Sequence, residues 1–256
     1  MPAPNDTPTA FLADLVSSDP TRPRLTWYDD QPGPTQGERI ELSGRVVANW
    51  TAKAANLLQE ELDVGPGSLV AVDLPAHWRA AYWLFAAWSV GAEVVVGGSL
   101  AGHRPHVVVT DDPADWSGGD LPVVAVTLAA LARTWAGEPL PAGVIDEAKE
   151  LATYGDQFQA WATPAGAAAA LRTPSRTWSY GELVPAALAA AAAAELAEGA
   201  RVMTSAGPAH FVDTLLAAWV VDGSVVLVRP GQDKGGLDDA ALEARTTAER
   251  VTHRLG

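Results

Sequence analysis

Cysteine is absent from the 256 residues of this chain, and lysine occurs only three times. The lack of thiols removes disulfide bonds, thiolate metal sites and cysteine nucleophiles together. Lys and Arg total 17 against 31 Asp and Glu, a formal net charge of −14. Because nucleic acid and anionic lipid both attract a basic face, this balance argues against a nucleic-acid partner and against a membrane partner.

A long apolar run is also missing. The longest candidate, 80–96, contains Glu93 and is broken by Gly91, so it is typical of a helix followed by a strand and not of a membrane span. The first six residues lack the positive segment and apolar core of a signal peptide. We therefore expect a cytoplasmic protein, and the 48% hydrophobic content is enough to bury a core.

Short valine-rich runs alternate with helical patterns along the chain. Continuous apolar strands of this kind are typical of parallel sheets buried on both faces. The sequence predicts an α/β fold of two tandem Rossmann-like subdomains with mostly parallel sheets flanked by helices. The Pro/Gly-rich segment 137–143 suggests a boundary, with a first subdomain over 1–142 and a second, shortened one over 143–256. The predicted strands are 24–28, 38–42, 68–74, 94–96, 106–110, 123–127, 168–173, 201–205 and 225–228.

Amphipathic spacing and capping signals predict helices between these strands. Ser179 with Glu182 three residues later is a capping-box pattern at one helix start. The predicted helices are 7–17, 43–62, 77–90, 146–154, 179–198 and 238–255.

The second half repeats motifs of the first half in the same order. A repeat of this kind predicts a duplicated architecture. The matched motifs are Thr26-Trp27 with Thr177-Trp178, Pro75-Ala76-His77 with Pro208-Ala209-His210, Ala86-Ala87-Trp88 with Ala217-Ala218-Trp219, and Gly91 with Gly223.

A second set of segments follows the order of a known family. These segments are 22–25, 40–45, 64–71, 91–92, 168–173, 180–194, 201–210, 225–230 and 249–252. Together they resemble the N-terminal part of the AMP-binding adenylate-forming enzymes (acyl-CoA synthetases, luciferases and peptide-synthetase adenylation domains). The chain also fits an uncharacterised actinobacterial family with similarity to those enzymes.

The resemblance implies a Ser/Thr/Gly-rich phosphate loop with a lysine after the strand at 168–173. This sequence instead continues with 172–178, Arg-Thr-Pro-Ser-Arg-Thr-Trp, which contains neither glycine nor lysine. A phosphate cradle needs exposed backbone N–H groups and a cation. The family's catalytic lysine and C-terminal domain would follow Gly256, so we expect a truncated, non-catalytic or degenerate relative that acts as a small-ligand or protein-binding module.

No cofactor and no catalytic or metal-binding residue is predicted, and ATP, AMP and coenzyme A are the family ligands to test. One alternative is a surviving adenylate-forming ligase in which Arg172, Ser175 and Arg176 build a divergent phosphate site. A second alternative is an unrelated small-molecule enzyme that uses His77 or His210 as a base. A homodimer or a protein partner is expected to cover the shortened second sheet.

Candidate ligand-binding residues lie where strands are followed by helices, because open α/β folds bind ligands at the carboxyl edge of the sheet. His77 and His210 either line a pocket there or cap and pack at their helix starts, and the resemblance implies that His210 lies near the acyl pocket. The full candidate set is His210, Pro208, Ser205, Thr173, Ser175, Arg176 and His77.

Two other motifs point to chemistry less directly. Ser99, within the glycine-rich segment 97–102, resembles a nucleophile elbow but lacks the helix that should follow. His103, His106 and Asp111 have residue types that bind metals, but an acidic loop end explains them more simply.

Overall fold

The computed structural model describes residues 7–98, 100, 102–116, 119–231 and 239–256. Twelve strands form two sheets within these ranges. In chain order the strands are β1 (Pro23–Asp29), β2 (Arg39–Ser43), β3 (Leu69–Asp73), β4 (Glu93–Val96), β5 (Val107–Thr110), β6 (Val123–Ala125), β7 (Ile145–Asp146), β8 (Ala169–Arg172), β9 (Thr177–Ser179), β10 (Arg201–Thr204), β11 (Ser224–Arg229) and β12 (His253–Arg254).

Seven α-helices connect the strands, and none of the described helices is long and apolar enough to cross a membrane. The helices are α1 (Pro8–Ser18), α2 (Gly44–Asn56), α3 (Trp78–Ser89), α4 (Glu147–Glu150), α5 (Tyr180–Ala193), α6 (Pro208–Trp219) and α7 (Asp239–Ala248), with a π-helical turn at Leu57–Glu61 and 3-10 turns at Pro113–Trp116 and Leu151–Thr153.

The α/β fold with mostly parallel sheets flanked by helices is confirmed. One sheet has the order β12-β10-β11-β1-β2 and the other β7-β6-β5-β3-β4-β8-β9. Within each sheet only one pair is antiparallel, β1–β2 and β8–β9 respectively. The valine-rich strands β3 to β6 are buried on both faces, as their continuous apolar sequences predict.

The hairpin of each half of the chain pairs with a strand of the other half. Hairpin β1–β2 of the first half pairs with β11 of the second, and hairpin β8–β9 of the second half pairs with β4 of the first. Each sheet therefore draws strands from both sides of residues 142/143. The division into subdomains at that boundary stays a prediction, while the sheets themselves run across it.

The duplication extends to local detail. Both hairpins have a register irregularity at the same place, between Pro23 and Leu25 and between Ala169 and Leu171. At each irregular position the carbonyl accepts a hydrogen bond from a tryptophan of the other half. Trp219 donates to Arg24 over 3.2 Å and Trp88 donates to Ala170 over 2.8 Å.

Helix α3 is the most deeply buried helix of the first half. Its residues from Trp78 to Trp88 are all buried, and it contacts strands of both sheets as well as α2. Helix α6 occupies the corresponding place in the second half, where Phe85 of α3 packs against Trp219 at 5.1 Å between ring centroids. The main core therefore joins the two sheets through α3 and α6.

Four helix predictions differ from the structure. The helix predicted over 43–62 ends as an α-helix at Asn56 and continues as a π-helical turn, and the one over 179–198 ends at Ala193. The helix predicted over 146–154 ends as an α-helix at Glu150 and continues as a 3-10 turn. The helix predicted over 238–255 ends at Ala248 and is followed by β12, because Thr252 and Leu255 bond to the backbone of β10. Tertiary pairing thus overrides the helical pattern near the end of the chain.

Candidate functional site

The segment that should hold a phosphate loop is a closed hairpin turn. Arg172 pairs with Thr177 across β8 and β9, so the loop between them is short. The N–H of Thr173 donates to the carbonyl of Arg176 over 2.9 Å, and the N–H of Arg176 donates back over 3.4 Å. Pro174 has no N–H, which leaves only the Ser175 N–H outside these bonds. A turn with one free donor cannot surround a phosphate group.

The two arginines beside this turn already have acidic partners. Arg172 pairs with Glu93 at 2.8 Å, and Arg176 pairs with Asp213 of α6 at 2.7 Å. The Arg176 guanidinium also lies 4.5 Å from the centre of the Trp178 ring. Both positive charges that the divergent-loop alternative requires are therefore largely neutralised within the chain.

His77 is a capping and packing residue. Its side chain is fully buried, and Nδ1 accepts a hydrogen bond of 3.1 Å from the N–H of Arg79 at the start of α3. The ring packs edge-on against Trp27 at 4.3 Å. Burial, reinforced by the charges of Arg79 and Arg229, holds the pKa of His77 well below its ordinary value, so the ring is neutral.

His210 occupies a different position in its helix. Helix α3 begins directly after His77, whereas α6 begins at Pro208, so His210 is the third residue of α6 and is exposed. The two Pro-Ala-His motifs match in sequence, but they do not occupy the same positions relative to the starts of their helices. The physical reason is Pro208, which is favourable at the first position of a helix and sets its start there.

The structure brings some candidate residues together and separates others. Thr173, Ser175 and Arg176 share the closed turn, and Arg176 reaches α6, which carries Pro208 and His210. Ser205 is exposed after β10, and Thr173 is buried with its hydroxyl bonded to the Arg176 carbonyl at 3.3 Å. His77 lies apart from this group, packed on Trp27 of β1.

Arg176 and His210 line an open groove of about 650 Å³ between α5 and α6. Leu183, Ala187 and Ala190 line it from α5, and the C-terminal residues Leu255 and Gly256 complete the wall. The groove is mostly apolar and has the volume of a typical binding site. We refer to this cleft as the α5–α6 groove.

A buried hydroxyl group lies in the wall of the α5–α6 groove. Thr214 of α6 is 2% exposed, and its Oγ1 atom has no hydrogen-bond partner in the part of the chain that the structure describes. An unpaired buried hydroxyl costs about 1 to 3 kcal/mol. The Oγ1 atom is enclosed by protein, so this cost belongs to the packing of α6, and the volume and apolar lining of the groove make it a candidate site.

A buried polar cluster in the first half was not anticipated from the sequence. Nη1 of Arg79 donates to Glu147 at 3.1 Å and to the hydroxyl of Tyr82 at 3.3 Å, and that hydroxyl is itself hydrogen-bonded to Glu147. Burial raises the pKa of Glu147 in spite of the Arg79 charge, and it raises the pKa of Tyr82 well above its ordinary range. The sequence feature that could have indicated this cluster is the pair Arg79 and Tyr82, which lie three residues apart on an otherwise apolar helix.

The weaker motifs acquire no chemical role. Ser99, the centre of the nucleophile-elbow resemblance, lies outside the described residues. His106 accepts a hydrogen bond of 2.9 Å from the N–H of Leu69, and burial raises the pKa of Asp111. Among the described residues, no group of three or more His, Asp and Glu side chains is arranged to hold a metal ion.

Comparison with known proteins decides the family. A TIGR03089 family protein of Mycobacterium tuberculosis (strain ATCC 25618 / H37Rv) is 36% identical over 262 residues, covering 100% of both chains. The chain belongs to the TIGR03089 family. No family model matches the sequence. The expectation of an actinobacterial family is consistent with this relative.

Solved structures show the fold of this TIGR03089 protein. An acyl-CoA synthetase of Brucella canis has a TM-score of 0.73 at 16% identity, over 97% of this chain and 46% of its own. The Klebsiella oxytoca NpsA N-terminal subdomain in complex with 3-hydroxybenzoyl-AMSN has a TM-score of 0.67 at 15% identity, over 97% and 59%. VinN in complex with L-aspartate has a TM-score of 0.67 at 15% identity, over 96% and 65%.

The chain thus spans 46% to 65% of the length of these structures. The fold of the TIGR03089 protein is that of the N-terminal domain of adenylate-forming enzymes.

Proposed function

We propose that this TIGR03089 protein is a non-catalytic relative of the adenylate-forming ligases, in which the α5–α6 groove serves as a binding site. The observation that carries the proposal is the closed turn at 173–176. Two of its three backbone N–H groups, those of Thr173 and Arg176, bond across the turn, and Arg172 and Arg176 pair with Glu93 and Asp213. Nothing at this position presents a set of free donors.

Adenylate formation depends on holding a triphosphate and stabilising its developing charge. Preorganised donors and cations supply most of the catalysis in phosphoryl-type chemistry, and each lost donor costs about two to three orders of magnitude in rate. The turn would have to open its own hydrogen bonds and release two ion pairs to bind ATP. The residues present at this turn therefore do not fit ATP.

Pyrophosphate exchange tests the loss of catalysis directly. The full chain is incubated with ATP, labelled pyrophosphate and a panel of acids that includes 3-hydroxybenzoate and L-aspartate, chosen from the ligands of NpsA and VinN. We expect no exchange above the protein-free background and no heat of ATP binding in calorimetry. Exchange with any acid sinks the proposal, and its loss in Arg176→Met would assign the activity to the divergent loop.

A thermal-shift screen tests the binding role separately. A ligand that binds only the folded state raises the melting temperature by mass action. We expect ATP, AMP and coenzyme A to leave the melting temperature unchanged. A rise with ATP would contradict the misfit of the closed turn, and its loss in an Arg172→Met, Arg176→Met double variant would assign the binding to that turn.

A further inference from the structure

Residues 154–161 cross the surface of α2 as a strap that is neither helix nor strand. Three side chains spaced three residues apart hold the main chain of this strap, Lys53 and Asn56 of α2 and Gln59 of the π-helical turn that follows. The bonds run from Lys53 to the Tyr154 carbonyl, from Asn56 to the carbonyls of Gly155 and Gln157 at 3.2 and 3.0 Å, from Gln59 to the Gln159 carbonyl at 3.0 Å, and from the Trp161 N–H to Oε1 of Gln59 at 2.9 Å.

This row of polar side chains is specific to the first half of the repeat. Counted from the capping residues Ser43 of α2 and Ser179 of α5, the equivalent positions in the second half are Ala189, Ala192 and Glu195. An alanine side chain has no hydrogen-bonding group. The helix packing that the two halves share therefore does not require the polar row, and the contacts of the row assign it to the strap.

The strap itself contributes little to the core. Within 155–161 every residue is exposed except Phe158, which is half-buried, and Trp161 is 69% exposed. Lys53 also pairs with Asp156 at 2.8 Å, but that carboxylate is largely exposed and such pairs add little stability. In the described ranges no backbone–backbone hydrogen bond links 155–163 to another segment. The side chains of α2 and its π-helical turn are thus what keeps the strap in place.

Opening of the strap has a low cost because it leaves no buried group without a partner. Asn56 and Gln59 are buried where the strap binds them, and water takes over their hydrogen bonds once it leaves. The released segment regains chain entropy, and segments with few buried apolar contacts open well before the whole fold does. The flanking residues differ, because Leu151 before the strap and Ala170 of β8 after it are fixed in the core.

The strap is also one wall of a second cleft, which we call the α1–α2 cleft. Phe158 and Ala160 line this cleft of about 520 Å³ together with side chains of α1 and α2, among them Ala52. When the strap leaves, the cleft becomes continuous with the surface of α2 that carries Asn56. The state of the strap therefore sets the size of the cleft.

We propose that the strap is a conformational gate, in which residues 154–161 leave α2 as one unit while both sheets remain folded, and that their departure opens the α1–α2 cleft. The bonds from Lys53, Asn56 and Gln59 define the closed state. This inference goes beyond the proposed function, because it concerns a different surface and does not depend on the loss of catalysis.

Amide hydrogen exchange of Trp161, followed by NMR on the full chain, tests the opening. Its N–H is bonded to Gln59 and exchanges when the strap leaves. We expect exchange at least about 100-fold faster than that of Val70 in β3, and independent of low urea concentrations, since a local opening exposes little surface. Asn56→Ala removes bonds to Gly155 and Gln157, yet it should speed Trp161 exchange by about tenfold because the strap opens as a unit.

A matched control uses the same substitution on the same helix. Asn49→Ala changes an asparagine of α2 that does not hold the strap, and it should leave Trp161 exchange unchanged. Should Asn56→Ala not fold, Lys53→Met removes the bond to Tyr154 at the far end of the strap and gives the same test.

Thiol labelling tests whether the opening reaches the cleft. The chain has no cysteine, so an introduced thiol is the only one present. Ala52→Cys places a thiol in the cleft wall, and Ala55→Cys places one in the core. Added to each, Asn56→Ala should speed labelling by a bulky maleimide about tenfold at position 52 and leave position 55 unchanged, because only global unfolding exposes the core.

Three results would overturn the inference. The first is Trp161 exchange that follows Val70 in its rate and urea dependence, since the strap would then open only with the whole fold. The second is Trp161 exchange that does not respond to Asn56→Ala, which would mean that each bond opens alone. The third is labelling accelerated equally at positions 52 and 55, which would assign the effect to global destabilisation.

Discussion

Helix pairs α2–α3 and α5–α6 hold the same place in the internal repeat, yet one is covered by the chain and the other is open. On α2–α3, Trp50 stacks on Tyr82 at 5.9 Å and Glu147 completes a buried polar cluster. On α5–α6 the equivalent positions are Ala186 and Asp213, and a groove of about 650 Å³ remains. The same backbone arrangement thus gives a closed core or a binding surface, depending on a few side chains and one covering segment.

The largest expected effect is on the stability of the covered helix pair, α2–α3. Glu147→Ala leaves Arg79 buried without its carboxylate, and breaking a buried pair in this way costs about 3 to 5 kcal/mol. Urea unfolding should detect the loss. Asp213→Ala removes the partly exposed partner of Arg176 and should change the unfolding free energy by less than about 1 kcal/mol. Equal losses in the two variants would contradict the distinction between a buried and an open surface.

Exchanging the residue that differs between the halves gives the next effect. Trp50→Ala removes a half-buried ring that stacks on Tyr82, and we expect a loss of about 2 to 3 kcal/mol, just below the range for a fully buried ring. Ala186→Trp adds a ring to an open groove and should change stability by about 1 kcal/mol at most. Thermal and chemical denaturation of both variants measures this. A large loss in Ala186→Trp would mean that the α5–α6 groove is less open than the structure has it.

A smaller and equal effect is expected where the halves are alike. Trp88→Phe and Trp219→Phe each leave a carbonyl, that of Ala170 or of Arg24, without its indole donor. Each variant should lose about 1 to 2 kcal/mol, and the two losses should agree within about 0.5 kcal/mol. Losses that differ by more than that would show that the repeat does not extend to the energetics of these bonds.

The smallest expected effect concerns His77. It is absent at neutral pH and appears only in acid. The folded-state pKa of His77 lies well below 6.5, so the unfolded chain binds a proton that the folded chain does not once the pH falls below about 6.5. Stability from this residue is present above that pH and is lost by up to about 1.4 kcal/mol per unit as the pH falls toward the folded pKa. His77→Asn, which keeps a capping side chain, should remove this slope in denaturation measured between about pH 4 and 7. An unchanged slope would rule out His77 as its source.

Local sequence patterns correctly predicted the strands that are buried on both faces. The valine-rich runs became β3 to β6, because continuous apolar segments leave no solvated face for a strand. The paired tryptophan motifs correctly indicated a duplication. The Pro-Ala-His match wrongly predicted equivalent helix positions for His77 and His210, because Pro208 starts α6 whereas Pro75 precedes α3 by three residues. A motif repeated in sequence can therefore lie in a different register on the helix.

The candidate site was only partly accessible from the sequence. The absence of glycine and lysine from 172–178 predicted a defective phosphate loop, and the structure shows how it closes. Arg176 and His210 were candidates, but Thr214 was not, since a threonine in an apolar helix carries no local signal. The Arg79–Tyr82–Glu147 cluster was also missed, because Glu147 lies 65 residues from Tyr82 in sequence.

The α/β class, the internal repeat and the lack of glycine and lysine in 172–178 can be read from the sequence, because each depends on residue types within a few neighbours along the chain. The tertiary fold sets which strands share a sheet, since β1 pairs with β11 across about 200 residues. It also decided which helix pair is open. Ala54 and Ala190 are identical in type and in distance from their caps, yet Ala54 is buried in the core and Ala190 is exposed in the groove wall.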